Sequence, residues 1–505
     1  MPFIGVAPFE PDAPDVPSLA SDRIENVIPV NKSSYGPMAS FAPYASALNA
    51  RCQGALSMVD NDRNVRIFAG TASKLYRFAP PGTTPADVSK AGTYITGDSN
   101  WSMCAFGTRV IATNYNDPPQ SYVEGSSALF ADMITTGETS VKAKFVAPVR
   151  DFVVLGYTNH ATYGKCPQRV WWSAVNNPSN FPTPGTAAAN TALSDFQDVV
   201  GDHGALMGLT GNLGTAHCGI FFERAVYRMN YAGLPAIFDF QAVEGARGLL
   251  ASGGLLQYGA VAYYLGEDGF YAFNGSSSTP IGKGRIDNFI YQDMRSDYLD
   301  RISCAANPAT GLLYWAYAGA GSSNGICNRL LVYSPAYDKW TISDATSYQI
   351  QWLFRAATFG KTLEQLDAFG TMDSLPYSLD SQVWMGGRSA LGGFDSANKM
   401  GYFEGSTLPA IVDTGDLEVV DGAQSTVSRI RPAIDLVAPQ VAGCGRGRIS
   451  ENKVFSSYKS LESNGTASIR TRGRYHRYRI KTAAGDNWTQ CSGINIEDYS
   501  KMGKR

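Results

Sequence analysis

Charge is scarce in this chain. Lys, Arg, Asp and Glu supply only 17% of its 505 residues, against a usual share of about 25%. An apolar share of 44% places it among ordered globular proteins and excludes a solvated, disordered tail. Histidine is scarcer still. His160, His203, His217 and His476 are its four, and no two have the spacing of a metal pair. The eight cysteines form no Cys-x-x-Cys, which argues against a zinc ribbon or a redox motif. Free thiols in a reducing cytoplasm are expected instead. No window approaches 18 uninterrupted apolar residues, so membrane insertion is not expected. The opening MPFIGVAPFEPDAPD lacks a basic start followed by an apolar run, so no signal peptide is expected either.

Familiar chemistry is missing as well. There is no Gly-x-Ser-x-Gly elbow and no phosphate loop ending in Gly-Lys-Ser/Thr. DNDRN at Asp60–Asn64 begins like a calcium loop, but Val65 and Thr71 stand where the loop needs Gly and Glu. That stretch reads as a turn. GKGRID at Gly282–Asp287 lacks the third glycine of a dinucleotide fingerprint. Asp239, Glu244, Glu267 and Asp268 could form a glycosidase pair only if the fold brought two of them together. Glu267-Asp268-Gly269 reads better as a hairpin turn. No catalytic residue, metal ligand or cofactor is expected.

What is abundant is glycine, at 52, and Tyr with Phe, at 51 together. Few charges with many glycines and aromatics favour strands and turns, so the expected class is all-β. One unit recurs every 40 to 50 residues: an apolar strand, a turn, then a strand carrying an aromatic. It appears at Val65–Phe78, Arg109–Val123, Asp151–Phe181, Cys218–Tyr231, Ala260–Gly275, Gly311–Trp340 and Ala368–Asp380. That period fits β-propeller blades, and a propeller is favoured over a sandwich of aromatic hairpins. Residues 1–50, rich in Pro, Ser and Ala, read as an extended N-terminal arm. Residues 51–380 read as the propeller, and 381–505 as a separate β-rich platform. Helical spacing is scarce and is best at Ile286–Ile302, expected as a short surface helix or an insertion between blades.

Charge is unevenly placed. From Thr426 to Arg505 there are 15 Lys or Arg against 6 Asp or Glu, about +9, which leaves about −11 for the rest. RTRGRYHRYRIKT carries six fixed cations: Arg470, Arg472, Arg474, Arg477, Arg479 and Lys481. His476 would join them at low pH. Arg470, Arg472 and Arg474 share one face by period two, and Arg477, Arg479 and Lys481 the opposite parity. A β-bulge beside Gly473 would absorb that flip. The six are candidate assembly residues, expected to meet acidic neighbours across subunits.

RVWWSAVNNPSNF, GIFFERAVYRMNYAGLPAIFDFQAVEGARGLLA, YYLGEDGFYAFNGSSSTPIGKGRIDNF and LLVYSPAYDKW, in that order, resemble the tail nozzle or tail hub (packaged-DNA stabilisation) proteins of short-tailed bacteriophages. IENVIPVNKSSYGPMASF near the start, and RGRYHRYRI with GDNW and GINI near the end, resemble that family's termini. The resemblance implies a propeller with an added platform, and a homo-hexameric ring below the portal adaptor. It implies retention of packaged DNA, transient non-specific contact with it, and attachment of tail fibres or spikes. It also implies a virion location after assembly in the host cytoplasm. Low charge density suits a duct that must not grip phosphates. Two other readings stay open: a carbohydrate-binding or hydrolysing tail propeller, and a nucleic-acid binder using Arg470–Lys481.

Overall fold

The computed structural model describes residues 2–14, 20–95, 97, 99–214, 216–344, 349–361, 363–367, 370–372, 375, 378, 379, 381 and 384–502. Among them, antiparallel strands assemble seven four-stranded blades and a platform. In blade 1 the strands are Gly54–Val59, Val65–Gly70, Leu75–Phe78 and Ala86–Asp87. Blades 2 to 5 repeat the arrangement, starting at Ser102, Lys142, Leu206 and Leu255. Blade 6 runs from Ser303 to Asp344. Each blade's first strand faces the axis.

Blade 7 closes the circle. Its inner strands are Ile350–Ala357, Ser389–Asp395 and Lys399–Tyr402, and its outermost strand is Ala42–Ala47 from the N-terminal region. Tyr402 lies opposite Ala42, and Gly401 opposite Pro43. Ring closure therefore ties the start of the chain to its last third. Tyr44 secures the join: it packs edge-on to Tyr402 at 5.4 Å and its hydroxyl donates to Pro81 O at 2.9 Å.

Six of the seven expected hairpins are the two middle strands of blades 1 to 6. The seventh, Ala368–Asp380, lies largely outside the described residues. Blade 7 uses SALGGFD and KMGY instead, so the expected boundary at 380/381 falls inside a blade. Glycine hid these strands. A Cβ on Gly401 would sit 2.1 Å from Ala42 O, and one on Gly392 2.6 Å from the Ala356 methyl. The residues that read as loop are what lets the strands approach.

The platform is two facing sheets. One orders Val27–Asn31, Ser34–Pro37, Cys491–Lys501, Ser425–Ile434 and Ala467–Gly473, with Phe3–Gly5 paired to Cys491–Lys501. The other is continuous with blade 6. Beyond Lys339–Asp344 it adds Ile24–Glu25, Ile411–Asp413, Tyr475–Lys481, Gln440–Arg446 and Lys459–Ser460. Val427, Ile430, Ile469, Ile494 and Ile496 from one sheet and Val412, Val441, Tyr478 and Ile480 from the other fill one buried core. The expected arm is thus part of both bodies: Phe3–Gly5, Ile24–Glu25, Val27–Asn31 and Ser34–Pro37 join the platform and Ala42–Ala47 closes the propeller.

The expected helix exists as Asp287–Asp293 followed by a 3-10 segment, Ser296–Arg301, between blades 5 and 6. The arm docks on it. The Asp12 carboxylate accepts from the backbone N–H groups of Asn288 (2.7 Å) and Phe289 (2.9 Å). Arg285 pairs with Glu10 at 2.9 Å and Asp338 at 2.8 Å. In GKGRID, glycine makes room: a Cβ on Gly282 would lie 2.0 Å from Asp287 Oδ1. DNDRN is the expected turn, with Asp60 Oδ1 accepting from Asp62 N and Asn64 N.

Candidate assembly surface

Alternation dictates which basic side chains can reach a partner. Along Ala467–Gly473, Ala467, Ile469, Thr471 and Gly473 are buried, and Ser468, Arg470 and Arg472 face out. The chain then crosses to the facing sheet. Arg474 is a bend, and its N–H donates to Arg446 O at 2.8 Å. This corrects the expected bulge: the parity flip is a change of sheet. Gly473 permits it by close approach, because a Cβ there would sit 2.6 Å from Arg446 N and O. A register irregularity does occur nearby: opposite Val427–Arg429 the strand Ala467–Gly473 carries one extra residue, between Ser468 and Thr471.

After the crossing, Arg477 and Arg479 turn inward to acids of the same chain. Arg479 grips the fully buried Asp413 with two bonds, Nε–Oδ1 at 2.6 Å and Nη2–Oδ2 at 2.7 Å. Burial pushes the Asp413 carboxyl up, and the Arg479 guanidinium opposes that shift. Arg477 and Arg446, each only 1% exposed, share Asp416 Oδ2 at 2.7 and 2.8 Å. Arg477 also donates to Ala20 O at 2.9 Å, fastening the N-terminal segment. Arg474 pairs with Glu418 at 3.0 Å. The Arg479 guanidinium lies 4.0 Å from the Phe455 ring centre, and the Lys481 ammonium 5.2 Å from that of Tyr458.

The expected single basic interface therefore divides. Arg474, Arg477 and Arg479 are committed to Glu418, Asp416 and Asp413. His476 does not join the surface cations. It is fully buried, with ring nitrogens bonded to Ser425 Oγ at 2.8 Å and Thr471 Oγ1 at 2.9 Å, and burial holds its pKa below the usual value. Arg470 and Arg472 remain exposed, with no ion pair among the described residues. Arg429, opposite Ser468, joins them on the outer face. On the same sheet, Arg431 is already paired with Glu497 at 2.5 Å. The free basic patch is Arg470 and Arg472 on the terminal strand of the sheet with Arg429 on the strand beside it.

The earlier candidates for chemistry stay apart. Asp239 and Glu244 lie on the outermost strand of blade 4, and Glu267-Asp268-Gly269 is the hairpin turn of blade 5. His160 pairs with Glu138 at 3.0 Å, and His203 bonds Val199 O at 2.8 Å. Among the described residues no cluster of three His, Cys, Asp or Glu could hold a metal, and no helix is long and apolar enough to cross a membrane. The described cysteines are free thiols. Burial pushes those of Cys52, Cys218 and Cys491 up to about 12.

No family model matches the chain, and no curated protein matches it. Among solved structures, a chain of "Crystal Structure of Mitotic Checkpoint Complex" is similar at a TM-score of 0.39 and 9% identity, over 73% of this chain and 95% of that one. A likeness that weak has no bearing on function. The propeller stands on the strand order itself.

Proposed function

We propose that this chain is the subunit of a ring-shaped tail nozzle or hub of a short-tailed bacteriophage. It would sit below the portal adaptor, retain packaged DNA, frame its exit and carry tail fibres or spikes. The observation that carries the reading is the patch Arg429–Arg470–Arg472 on the outer face of one platform sheet, which packs through a shared core on the sheet that continues into blade 6. A solvent-facing basic edge on a body with about eleven excess acids elsewhere suits the head-to-tail contacts from which closed rings are built. The buried core shared by the two platform sheets lets such a contact orient the whole subunit.

The duct of this nozzle lies between subunits. The propeller's own axis holds a cavity of about 260 Å³ lined by side chains of all seven blades. DNA contact in the lumen is transient and non-specific in this reading, and the mature location is the virion tail, reached after assembly in the host cytoplasm.

The experiment is mass photometry and negative-stain microscopy of the purified chain, alone and with the portal adaptor, against a variant carrying Arg429→Glu, Arg470→Glu and Arg472→Glu. Rings of six that the triple variant does not form are expected. Monomers under every condition would remove the proposal.

A further inference from the structure

The propeller axis has a composition that packing alone does not explain. Its cavity of about 260 Å³ is lined from all seven blades, with Met103, Phe145, Leu255 and Trp352 among the lining side chains. Asn100, Lys144 and Ser252 also border a wider recess of about 520 Å³, so the two spaces share a wall.

Two groups there lack what their chemistry asks for. Lys144 is half-buried on the first strand of blade 3 and makes no ion pair among the described residues. Its ammonium lies 5.5 Å from the ring centres of both Phe145 and Tyr157. Burial holds its pKa below the usual lysine value, with Glu223 opposing and Lys165 adding to the shift. The other charges of the recess are paired: Arg301 with Asp300 at 3.0 Å, and Asp297 with Arg295 at 3.4 Å. Asn100 donates through Nδ2 to Asp300 O at 2.9 Å, which fixes its amide orientation. Its Oδ1 is buried with no hydrogen-bond partner. A buried acceptor left unmade is costly, and so is a desolvated cation without a counter-charge.

We propose that the axial channel binds a small polyhydroxylated carboxylate of the uronic-acid class. The carboxylate faces the Lys144 ammonium, a ligand hydroxyl donates to Asn100 Oδ1, and the C–H face of the ring lies against Trp352 and Phe145. The lining mixes polar groups, Asn100, Lys144 and Ser252 among them, with the apolar faces of Phe145 and Trp352, and convergent polar groups beside aromatic walls are what orient a ligand. A plain apolar acid would leave Asn100 Oδ1 unmet, and a neutral sugar would leave Lys144 with no carboxylate in contact.

The test is isothermal titration of the full chain with sodium D-glucuronate, D-glucose and sodium benzoate. Glucuronate should bind saturably with a Kd on the order of a millimolar, as a ligand of that size reaches. Glucose should show no saturable heat, and benzoate should bind more weakly than glucuronate. Lys144→Met should weaken glucuronate about tenfold, the scale of a lost charge-assisted bond. Asn100→Ala and Trp352→Leu supply independent variants should Lys144→Met not fold. The proposal fails if glucuronate gives no saturable heat, if benzoate binds as tightly, or if the folded variants bind glucuronate like the parent chain.

Discussion

Arg479→Leu should damage the platform far more than a surface charge would. Asp413 is fully buried, and its two oxygens are spent on Arg479 at 2.6 and 2.7 Å. Two unit charges about 4 Å apart are worth about 4 kcal/mol at an effective dielectric near 20. Removing one partner of a buried pair strands the other and costs about 3–5 kcal/mol. For a unit the size of the platform, a urea slope of about 2 kcal/mol/M turns that loss into a midpoint shift of about 2 M. The assay is urea unfolding followed by tryptophan fluorescence, with Trp488 reporting from the platform core. The double variant Asp413→Leu/Arg479→Leu removes both charges and should recover most of the loss, since apolar replacement of a whole buried pair is often close to neutral. A single-variant loss below about 1 kcal/mol would place the pair in the class of exposed ion pairs and refute the reasoning. So would a double variant no better than the single.

Other outcomes follow from buried titratable groups and from ring closure. Burial raises the Asp287 carboxyl from 3.8 to about 6, with Asp12 and Asp268 adding to the shift. A raised acid contributes stability that is complete below its unfolded pKa and is lost as pH rises through its folded one. Asp287→Asn should therefore be more stable than the parent by roughly 2–3 kcal/mol above pH 6, an advantage that vanishes near pH 4 in thermal unfolding. His476 has the opposite sense: its pKa is depressed by burial, so its contribution is present above 6.5 and is lost as pH falls below it. His476→Gln should flatten that acid loss, seen as a smaller drop in Tm between pH 7 and pH 5 than the parent shows. Tyr44→Ala empties a buried aromatic site at the blade 7 closure and should cost about 3–5 kcal/mol. Limited proteolysis should then cut first near residues 42–47, and unchanged cleavage would show that the closure does not depend on this ring.

The blades were legible because hairpin signals are local. A run such as AVAYYLGEDGFYAFNG carries both strands and their turn within 16 residues. Blade 7 was not legible, because its outer strand comes from about 350 residues away and its inner strands are glycine-rich for reasons of close approach. The basic strand misled for a related reason. Counting charge from Thr426 onward omits Asp413, Asp416 and Glu418, which pair with Arg479, Arg477 and Arg474 across the sheet. The alternation in VDTGDLE, just upstream, was the available signal. Which acids meet which cations depends on strand order, and a period-two pattern fixes faces but not neighbours. Arg470 and Arg472 were placed correctly by parity alone, because their strand is terminal and faces solvent. Lys144 gave no sequence signal, since only closure of the seven blades brings it beside Asn100 and Trp352.

The central claim is ring assembly through the platform edge, and cryo-electron microscopy of the chain mixed with the portal adaptor tests it most directly. Closed rings of six are predicted, with Arg429, Arg470 and Arg472 of each subunit against an acidic surface of the next. Particles that stay monomeric, or rings in which those three arginines face bulk solvent, would contradict the account.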